Sequence, residues 1–118
     1  MPDFRKLLVW KKAHALSLRV DRLAQKIRKQ KPSLANQMER AADSVAANIA
    51  EGRAASTDGE FARFLTIAIR SVTELENHLE RARGGGLIGD AVHDSFAADA
   101  IEVRRMLFGR RKVVLGAK

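Results

Sequence analysis

Three histidines are the residues of this sequence best suited to proton transfer or metal binding: His14, His78 and His93. A di-iron site in a helical bundle needs a Glu-x-x-His motif on each of two helices, with further glutamates facing inward. No histidine here follows a glutamate by three residues, and Glu74 precedes His78 by four, the spacing of a surface pair on a helix. The sequence therefore predicts no metal site and no cofactor.

The same histidines could also serve in a nuclease, which would require an arginine nearby. Some small helical ribonucleases place an arginine four to six residues before a histidine, so that the imidazole transfers a proton while the guanidinium stabilises the phosphorane charge. Here no arginine precedes a histidine by four to six residues. The glycine run Gly84–Gly86 follows a helical segment and lacks the Lys-Ser/Thr of a phosphate loop. We therefore expect no catalytic activity.

Charge is distributed unevenly along the chain, whose 118 residues carry a net charge of +8. Residues 1–31 contain ten Lys or Arg and two acids, residues 32–103 contain six and twelve, and residues 104–118 contain six and none. Basic ends favour polyanions such as RNA, DNA or acidic proteins through a salt-sensitive attraction. A solvated surface that keeps the protein in solution is the alternative interpretation, and both remain open at this point.

The basic residues form two candidate nucleic-acid-binding clusters, one in the first helical segment and one near the C-terminus. Trp10 lies beside the first cluster and could stack on a base or anchor the chain's entry to the core. Binding of this kind would read phosphate charge and shape more than base sequence. The predicted binding residues are Lys11, Lys12, Arg19, Arg22, Lys26, Arg28, Lys29, Arg104, Arg105, Arg110, Arg111 and Lys112.

Prolines and glycines divide the chain into four segments, and each has the periodicity of an amphipathic helix. Apolar residues recur along them mostly in alternating steps of four and three. The predicted core positions are Val9, Ala13, Leu16, Val20, Leu23 and Ile27; Leu34, Met38, Ala41 or Ala42, Val45 and Ile49; Phe61, Leu65, Ala68, Val72, Leu75, Leu79 and Ala82; and Val92, Phe96, Ala100, Val103 and Leu107. The predicted helices span residues 8–29, 33–52, 58–83 and 90–111.

Residues at the expected helix ends support these boundaries. Thr57 and Glu60 have the spacing of a capping box at the start of the third helix. Ser33 is a candidate cap for the second helix and Asp90 for the fourth. Gly84–Gly86 are expected to end the third helix because glycine enters the left-handed conformation without a steric clash.

Four helices joined by three short connections predict an antiparallel, up-down-up-down four-helix bundle that forms a single domain over residues 1–118. The basic first and fourth helices would then share one side and the acidic second and third helices the other. Complementary faces favour head-to-tail contacts, so we predict assembly as a ring. The sequence has no cysteine and no apolar run long enough to cross a membrane, so a cytoplasmic protein without a membrane partner is expected.

The stretch SVAANIAEG, residues 44–52, places polar side chains within an otherwise apolar helix end. A carboxylate in the last turn of a helix is disfavoured by the helix dipole, so Glu51 should have a partner outside its helix. Arg63, at the start of the next helix, is the expected partner. We predict a cluster of Asn48, Glu51 and Arg63 that fixes the corner between the second and third helices, or that lies at a subunit interface.

Four motifs in the expected order resemble one known family: FRKLLVWKKAHAL, ANIAEG, EFARFLTIAIRSVTELENHL and EVRRML. It is the four-helix bundle family of proteins from intervening sequences in bacterial 23S rRNA genes, also called S23 ribosomal proteins. The resemblance implies a homopentameric ring with no established catalytic activity. That family is itself related to the accessory variability proteins of retroelements, which act with a reverse transcriptase and nucleic acid.

Three functional hypotheses follow. The first is a non-catalytic ring that binds RNA or another nucleic acid through its basic surface. The second is an oligomeric scaffold or protein-interaction module without a nucleic-acid ligand. The third is a ligand-binding bundle or enzyme that uses Asn48, Glu51 and Arg63 as a pocket.

Overall fold

Four long helices follow one another in the structure, a computed structural model that describes residues 3–116. No strand occurs within those residues, so the all-α prediction is confirmed. The elements are a short 3-10 helix Phe4–Lys6 and the helices α1 (Leu8–Ile27), α2 (Pro32–Arg53), α3 (Asp58–Gly84) and α4 (Asp90–Val114).

The helix bounds differ from the predicted ones by up to three residues. α1 ends at Ile27, and the amides of Gln30 and Lys31 close a turn on the Ile27 carbonyl before Pro32 opens α2. Proline disfavours a helical conformation in the residue before it, which separates the two helices at Lys31. α4 continues to Val114 because that side chain packs against the core.

Buried apolar side chains from all four helices form one continuous core. Every predicted core position on α1, α2 and α3 is buried. On α4 the prediction is wrong at one position, because Val92 is 42% exposed and His93 is buried instead. His93 turns inward since its imidazole contacts Glu80 of α3, a partner that valine could not use.

The helices pack in a circuit in which α2 contacts α1 and α3, α3 contacts α4, and α4 contacts α1. The contact between α1 and α4 is the smallest of the four. The described residues extend 44 × 25 × 19 Å, so α3, with 27 residues and a length of about 40 Å, runs along nearly the whole molecule. Among the helices of residues 3–116, none has the combination of length and apolar content that a bilayer crossing requires.

The capping predictions are correct in part at α3, where the Glu60 carboxylate binds Arg63 instead of completing the capping box, and wrong at the other two helices. Thr57 accepts a hydrogen bond from the Glu60 amide, and Gly86 adopts a positive φ of 74° just after α3. The Leu87 amide then reaches the Ala82 carbonyl at 2.9 Å, which satisfies an otherwise open helix end.

At α2, Pro32 rather than Ser33 occupies the first position, where its missing N–H costs nothing. At α4, Gly89 precedes the helix and Asp90 is already inside it. Neither helix has a side-chain cap.

Gly52 lies inside α2, one residue before its end, rather than at a turn as its position in SVAANIAEG suggests. A Cβ atom added there would lie 2.8 Å from Cδ1 of Phe61 and 2.9 Å from Cβ of Phe64. The first turns of α3 therefore approach the backbone of α2 more closely than any side chain would allow. Gly52 is required by packing between helices, not by an unusual backbone conformation.

We expect Gly52→Ala to destabilise the fold by about 1–3 kcal/mol, since overpacking forces Phe61 and Phe64 to move. Gly109→Ala, inside α4, is the matched control because its added Cβ would meet nothing within 4 Å. The control should be stabilised by roughly 0.5–1 kcal/mol through helix propensity alone. Urea denaturation measures both values, and equal stabilisation of the two variants would contradict the close approach.

Candidate nucleic-acid interface

Five of the twelve predicted binding residues are engaged with other side chains of the same chain. Their partners lie on neighbouring helices or across a connection, so these cations are only partly available to an external anion. The contacts are Lys12 to Glu102, Arg19 to Asp99, Arg28 to Asn36 and Glu39, Arg104 to Glu76, and Arg111 to Thr66.

The seam between α1 and α4 is closed by two of these ion pairs. Lys12 Nζ lies 3.2 Å from Glu102 Oε1, and Arg19 binds the carboxylate of Asp99. The two acids are three residues apart, one helical turn, so they face α1 together. The continuous basic side predicted from the sequence is therefore interrupted in the middle of the seam, where the charges cancel.

Seven predicted residues make no side-chain hydrogen bond or ion pair within residues 3–116, and they lie in two patches on either side of the seam's ion pairs. We call the first the α1 patch: Arg22, Lys26 and Lys29. We call the second the terminal patch: Lys11, Arg105, Arg110 and Lys112. Arg110 and the first turn of α1 line a common groove of about 460 Å³, which joins the start of α1 to the end of α4.

The α1 patch is extended by a residue that the sequence did not single out. Arg81, near the end of α3, and Lys31, between α1 and α2, line one groove at the same end of the molecule. Arg81 belongs to the acidic segment of residues 32–103, so its charge was expected on the acidic side of the bundle. The helix lengths could have predicted this position. In a bundle with short connections, the end of α3 lies at the same end of the molecule as the end of α1.

A groove of about 780 Å³ between α3 and α4 has the opposite character. The buried His93 contacts Glu80 at 3.1 Å and Asp94 at 3.0 Å, and Arg83 binds Glu80 at 2.6 Å. The Arg83 hydrogen bond holds the pKa of Glu80 below its usual value. Within residues 3–116 no group of three His, Cys, Asp or Glu side chains is placed to hold a metal ion.

Trp10 packs among protein side chains rather than standing open to a ligand. Its ring stacks on His14 with centroids 4.7 Å apart and planes 9° apart, and Phe4 meets it edge-on at 5.0 Å. The indole is also packed against the core. Of the two roles that its position allows, this geometry fits the anchor of the chain's entry, because one face of the ring is already covered.

The predicted cluster of Asn48, Glu51 and Arg63 is absent from the described chain, and that prediction is wrong within one subunit. Arg63 donates to Glu60 at 3.0 Å, because Glu60 lies one turn away on the same helix. Glu51 is exposed and makes no side-chain hydrogen bond or ion pair within residues 3–116. Asn48 donates to the carbonyl and the hydroxyl of Ser44 on its own helix.

A different polar contact joins α2 to α3. The hydroxyl oxygens of Ser44 and Ser71 lie 2.8 Å apart, and Asn48 adds a donor to Ser44 at 3.0 Å. Ser71 is buried, so its hydrogen bonds offset the cost of removing its hydroxyl from water. The polar stripe of SVAANIAEG therefore serves the contact between the two helices.

Comparison with known proteins identifies the family. Residues 5–109 match the family described as 23S rRNA-intervening sequence protein. The chain belongs to that family. A solved structure from Bacteroides thetaiotaomicron, a protein of unknown function from the S23 ribosomal protein family, has 24% identity and a TM-score of 0.85, covering 89% of this chain and 99% of its own. No curated protein matches the chain.

The family match covers one basic patch completely and the other only in part. All of the α1 patch lies within the matched residues, whereas Arg110 and Lys112 of the terminal patch lie beyond residue 109. The 23S rRNA-intervening sequence protein family thus includes the helices that carry the α1 patch, but the match stops before the last turns of α4.

The outer surface of α1 and α2 carries three acids that repel one another: Asp21, Glu39 and Asp43. Partial burial raises the pKa of Asp43, and the negative charges of Asp21 and Glu39 raise it further. Glu39 is neutralised in part by Arg28 at 2.6 Å, but Asp43 has no ion pair within residues 3–116. The ionised carboxylate of Asp43 therefore opposes folding.

We expect Asp43→Asn to stabilise the fold by about 0.2–0.5 kcal/mol at pH 7, the size of a like-charge repulsion on a helix surface. Because the pKa of Asp43 is raised by folding, protonation relieves the repulsion as the pH falls through that value. The advantage of asparagine should therefore disappear below about pH 3.8, the ordinary value. Thermal denaturation of both proteins at several pH values measures this, and a lower Tm for the variant at pH 7 would contradict it.

Proposed function

We propose that this protein is a non-catalytic, ring-forming bundle of antiparallel helices that binds RNA or another nucleic acid through its basic surface. The observation that carries the proposal is the set of seven cations without partners in the described chain, gathered in the α1 patch and the terminal patch. Phosphate contacts from Lys and Arg supply most of the sequence-independent affinity for nucleic acid.

Ion pairs between helices support the antiparallel, up-down-up-down arrangement. Lys12 pairs with Glu102 and Arg19 with Asp99, so residue numbers rise along α1 as they fall along α4. The short connections between consecutive helices agree with that order.

The charge distribution supports assembly into a ring. Unpaired cations lie on α1 and α4, whereas the repelling pair Glu39 and Asp43 lies on α2. Two unlike faces on one molecule favour head-to-tail contacts that close when the rotation allows. The pentameric number comes from the family resemblance alone.

The contacts of the buried His93 favour binding over catalysis at this residue. His93 contacts Glu80 through Nε2 and Asp94 through Nδ1, so both ring nitrogens have a protein partner. A general base must reach the proton it removes from a substrate. We therefore propose a binding role rather than an acid-base role for this molecule.

The separation of the patches predicts a minimum ligand length. Lys11 and Lys26 lie 15 residues apart on α1, which is about 22 Å along the helix axis. A duplex needs roughly seven base pairs to extend over that distance. DNA duplexes shorter than this should bind through one patch only, with a smaller salt dependence.

We expect the double variant Arg22→Gln, Lys26→Gln to weaken binding to a labelled RNA of mixed sequence. The slope of log K against log salt should fall by about one for each cation that contacts phosphate. Fluorescence anisotropy between 50 and 200 mM salt measures the slope, and that range is the one over which phosphate contacts lose roughly 10³–10⁵ in affinity.

The matched control is Arg40→Gln, Arg70→Gln, which removes the same charge from exposed positions on α2 and α3. It should leave the slope within experimental error of the parent. A wild-type slope near zero would remove the nucleic-acid proposal and leave the alternative, an oligomeric scaffold. That alternative is favoured by the ion pairs that already occupy part of the basic surface.

The ring is tested separately by light scattering of the intact protein. We expect a mass near five times the 13.0 kDa of one chain, with dissociation at high salt if charge complementarity holds the subunits together. A monomer at all concentrations and salt levels would contradict the ring and leave nucleic-acid binding to stand on its own measurement.

A further inference from the structure

A fourth groove, of about 510 Å³, lies between α1 and the start of α4, the pair of neighbouring helices with the smallest contact, and includes Arg22 and Lys26 of the α1 patch. Apolar side chains of both helices and of the connection before α4 form its floor, among them Ile27, Ile88 and Phe96. Its basic lining comes from one side only, where α1 contributes Arg19, Arg22 and Lys26. No acidic side chain lines it, which distinguishes it from the groove between α3 and α4.

Arg19 has an unusual position in this groove. Its guanidinium lies over the Phe96 ring, with Cζ 4.1 Å from the ring centroid. The Asp99 carboxylate and the Ser95 hydroxyl, the latter at 3.0 Å, hold its nitrogens. The side chain is still 32% exposed, so the guanidinium is fixed in place while part of its surface remains open to solvent.

A fixed guanidinium is suited to stacking more than to binding phosphate. Its charge is already balanced by Asp99, and a base can lie on the plane of an arginine as it does on an aromatic ring. Arg22 and Lys26 follow three and seven residues later on the same helix and have no partner within residues 3–116. Those two cations are therefore free to contact phosphates on either side of a stacked base.

We infer that this groove holds an unpaired nucleotide of a single-stranded nucleic acid, with its base on Arg19 and the apolar floor and its phosphates at Arg22 and Lys26. The inference rests on the proposed function and adds a preference to it. In a duplex the faces of the bases are covered by their neighbours, so a duplex could use the cations but not the stacking position.

The groove is long enough for one or two nucleotides. From Arg19 to Ile27 the groove follows α1 for eight residues, which is about 12 Å. A docked helix with apolar anchors over two turns is of similar length, about 11 Å, so the preference for a nucleotide rests on the fixed guanidinium and the two cations beside it. One or two nucleotides would occupy the groove and leave Lys29, the remaining residue of the α1 patch, for the next part of the strand.

The test uses Arg19→Lys. This variant keeps the charge and the pairing with Asp99 but removes the planar guanidinium on which a base would stack. We expect about a tenfold loss of affinity for an unstructured 12-nucleotide oligouridine, and less than a twofold change for a 12-base-pair RNA duplex. Arg70→Lys is the matched control, since Arg70 is exposed on α3, outside the groove and outside both basic patches. It should change neither affinity by more than twofold.

A second variant approaches the groove from its other side. Val92→Glu introduces a carboxylate at an exposed lining residue of α4 and should weaken single-strand binding more than Ala98→Glu, an exposed position of α4 outside the groove. A 2-aminopurine placed within the oligouridine should lose fluorescence on binding to the parent and regain it with Arg19→Lys.

Equal losses for the strand and the duplex, or for Arg19→Lys and Arg70→Lys, would overturn the stacking site while leaving nucleic-acid binding intact. So would displacement of the oligonucleotide from the groove by an acidic helical peptide without loss at the terminal patch. Absence of any salt-dependent binding by the parent protein would instead overturn the proposed function itself.

Discussion

Burial of one apolar stripe per helix is the interaction on which this structure depends. Isolated helices of this length are marginal in water, and most of their stability in a protein comes from packing an amphipathic face. Each fully buried Leu, Ile or Val contributes about 1.5–3 kcal/mol relative to an exposed one. Such residues occur on all four helices and form one core. Every helix is therefore held by its neighbours, and this packing fixes which residues of each helix lie on the surface.

The uneven contact among the helices leaves grooves beside the basic residues of α1 and α4. α2 and α3 pack so closely at Gly52 that a single methyl group would collide with two phenylalanines, whereas α1 and α4 leave grooves along their seam. The open side of the core is thus also the basic side. Ion pairs close the middle of this seam, and the unpaired cations remain on either side of them.

Polar side chains near the corner between α2 and α3 bind partners on their own helix rather than across the corner. Arg63 binds Glu60 one turn away, and Asn48 binds Ser44 one turn away, because a helix brings residues three and four apart together without ordering anything else. The contact that does join two helices, Ser44 to Ser71, uses short side chains at a point where the backbones are already close. Arg63, which was expected to reach across the corner, is already paired with Glu60.

The sequence by itself determined the four helices, their approximate bounds and most of their buried positions, because the spacing of apolar residues along a helix follows from its 3.6-residue turn. Motifs in the sequence also indicated the family, and the family match over residues 5–109 confirmed it. The true role of Gly52 was not accessible in this way, since a glycine at a helix end has the same appearance whether it turns the chain or admits a neighbouring helix.

Only the tertiary structure decided which charges remain free. The sequence gives the number of cations on α1 and α4, but pairing of Lys12 with Glu102 and of Arg19 with Asp99 depends on the rotation of each helix about its axis. The same rotation brings Arg19 over Phe96 and Arg81 beside Lys31, residues separated by more than forty positions in the chain. Distances of this kind are set by packing between helices, for which a single sequence carries no direct signal.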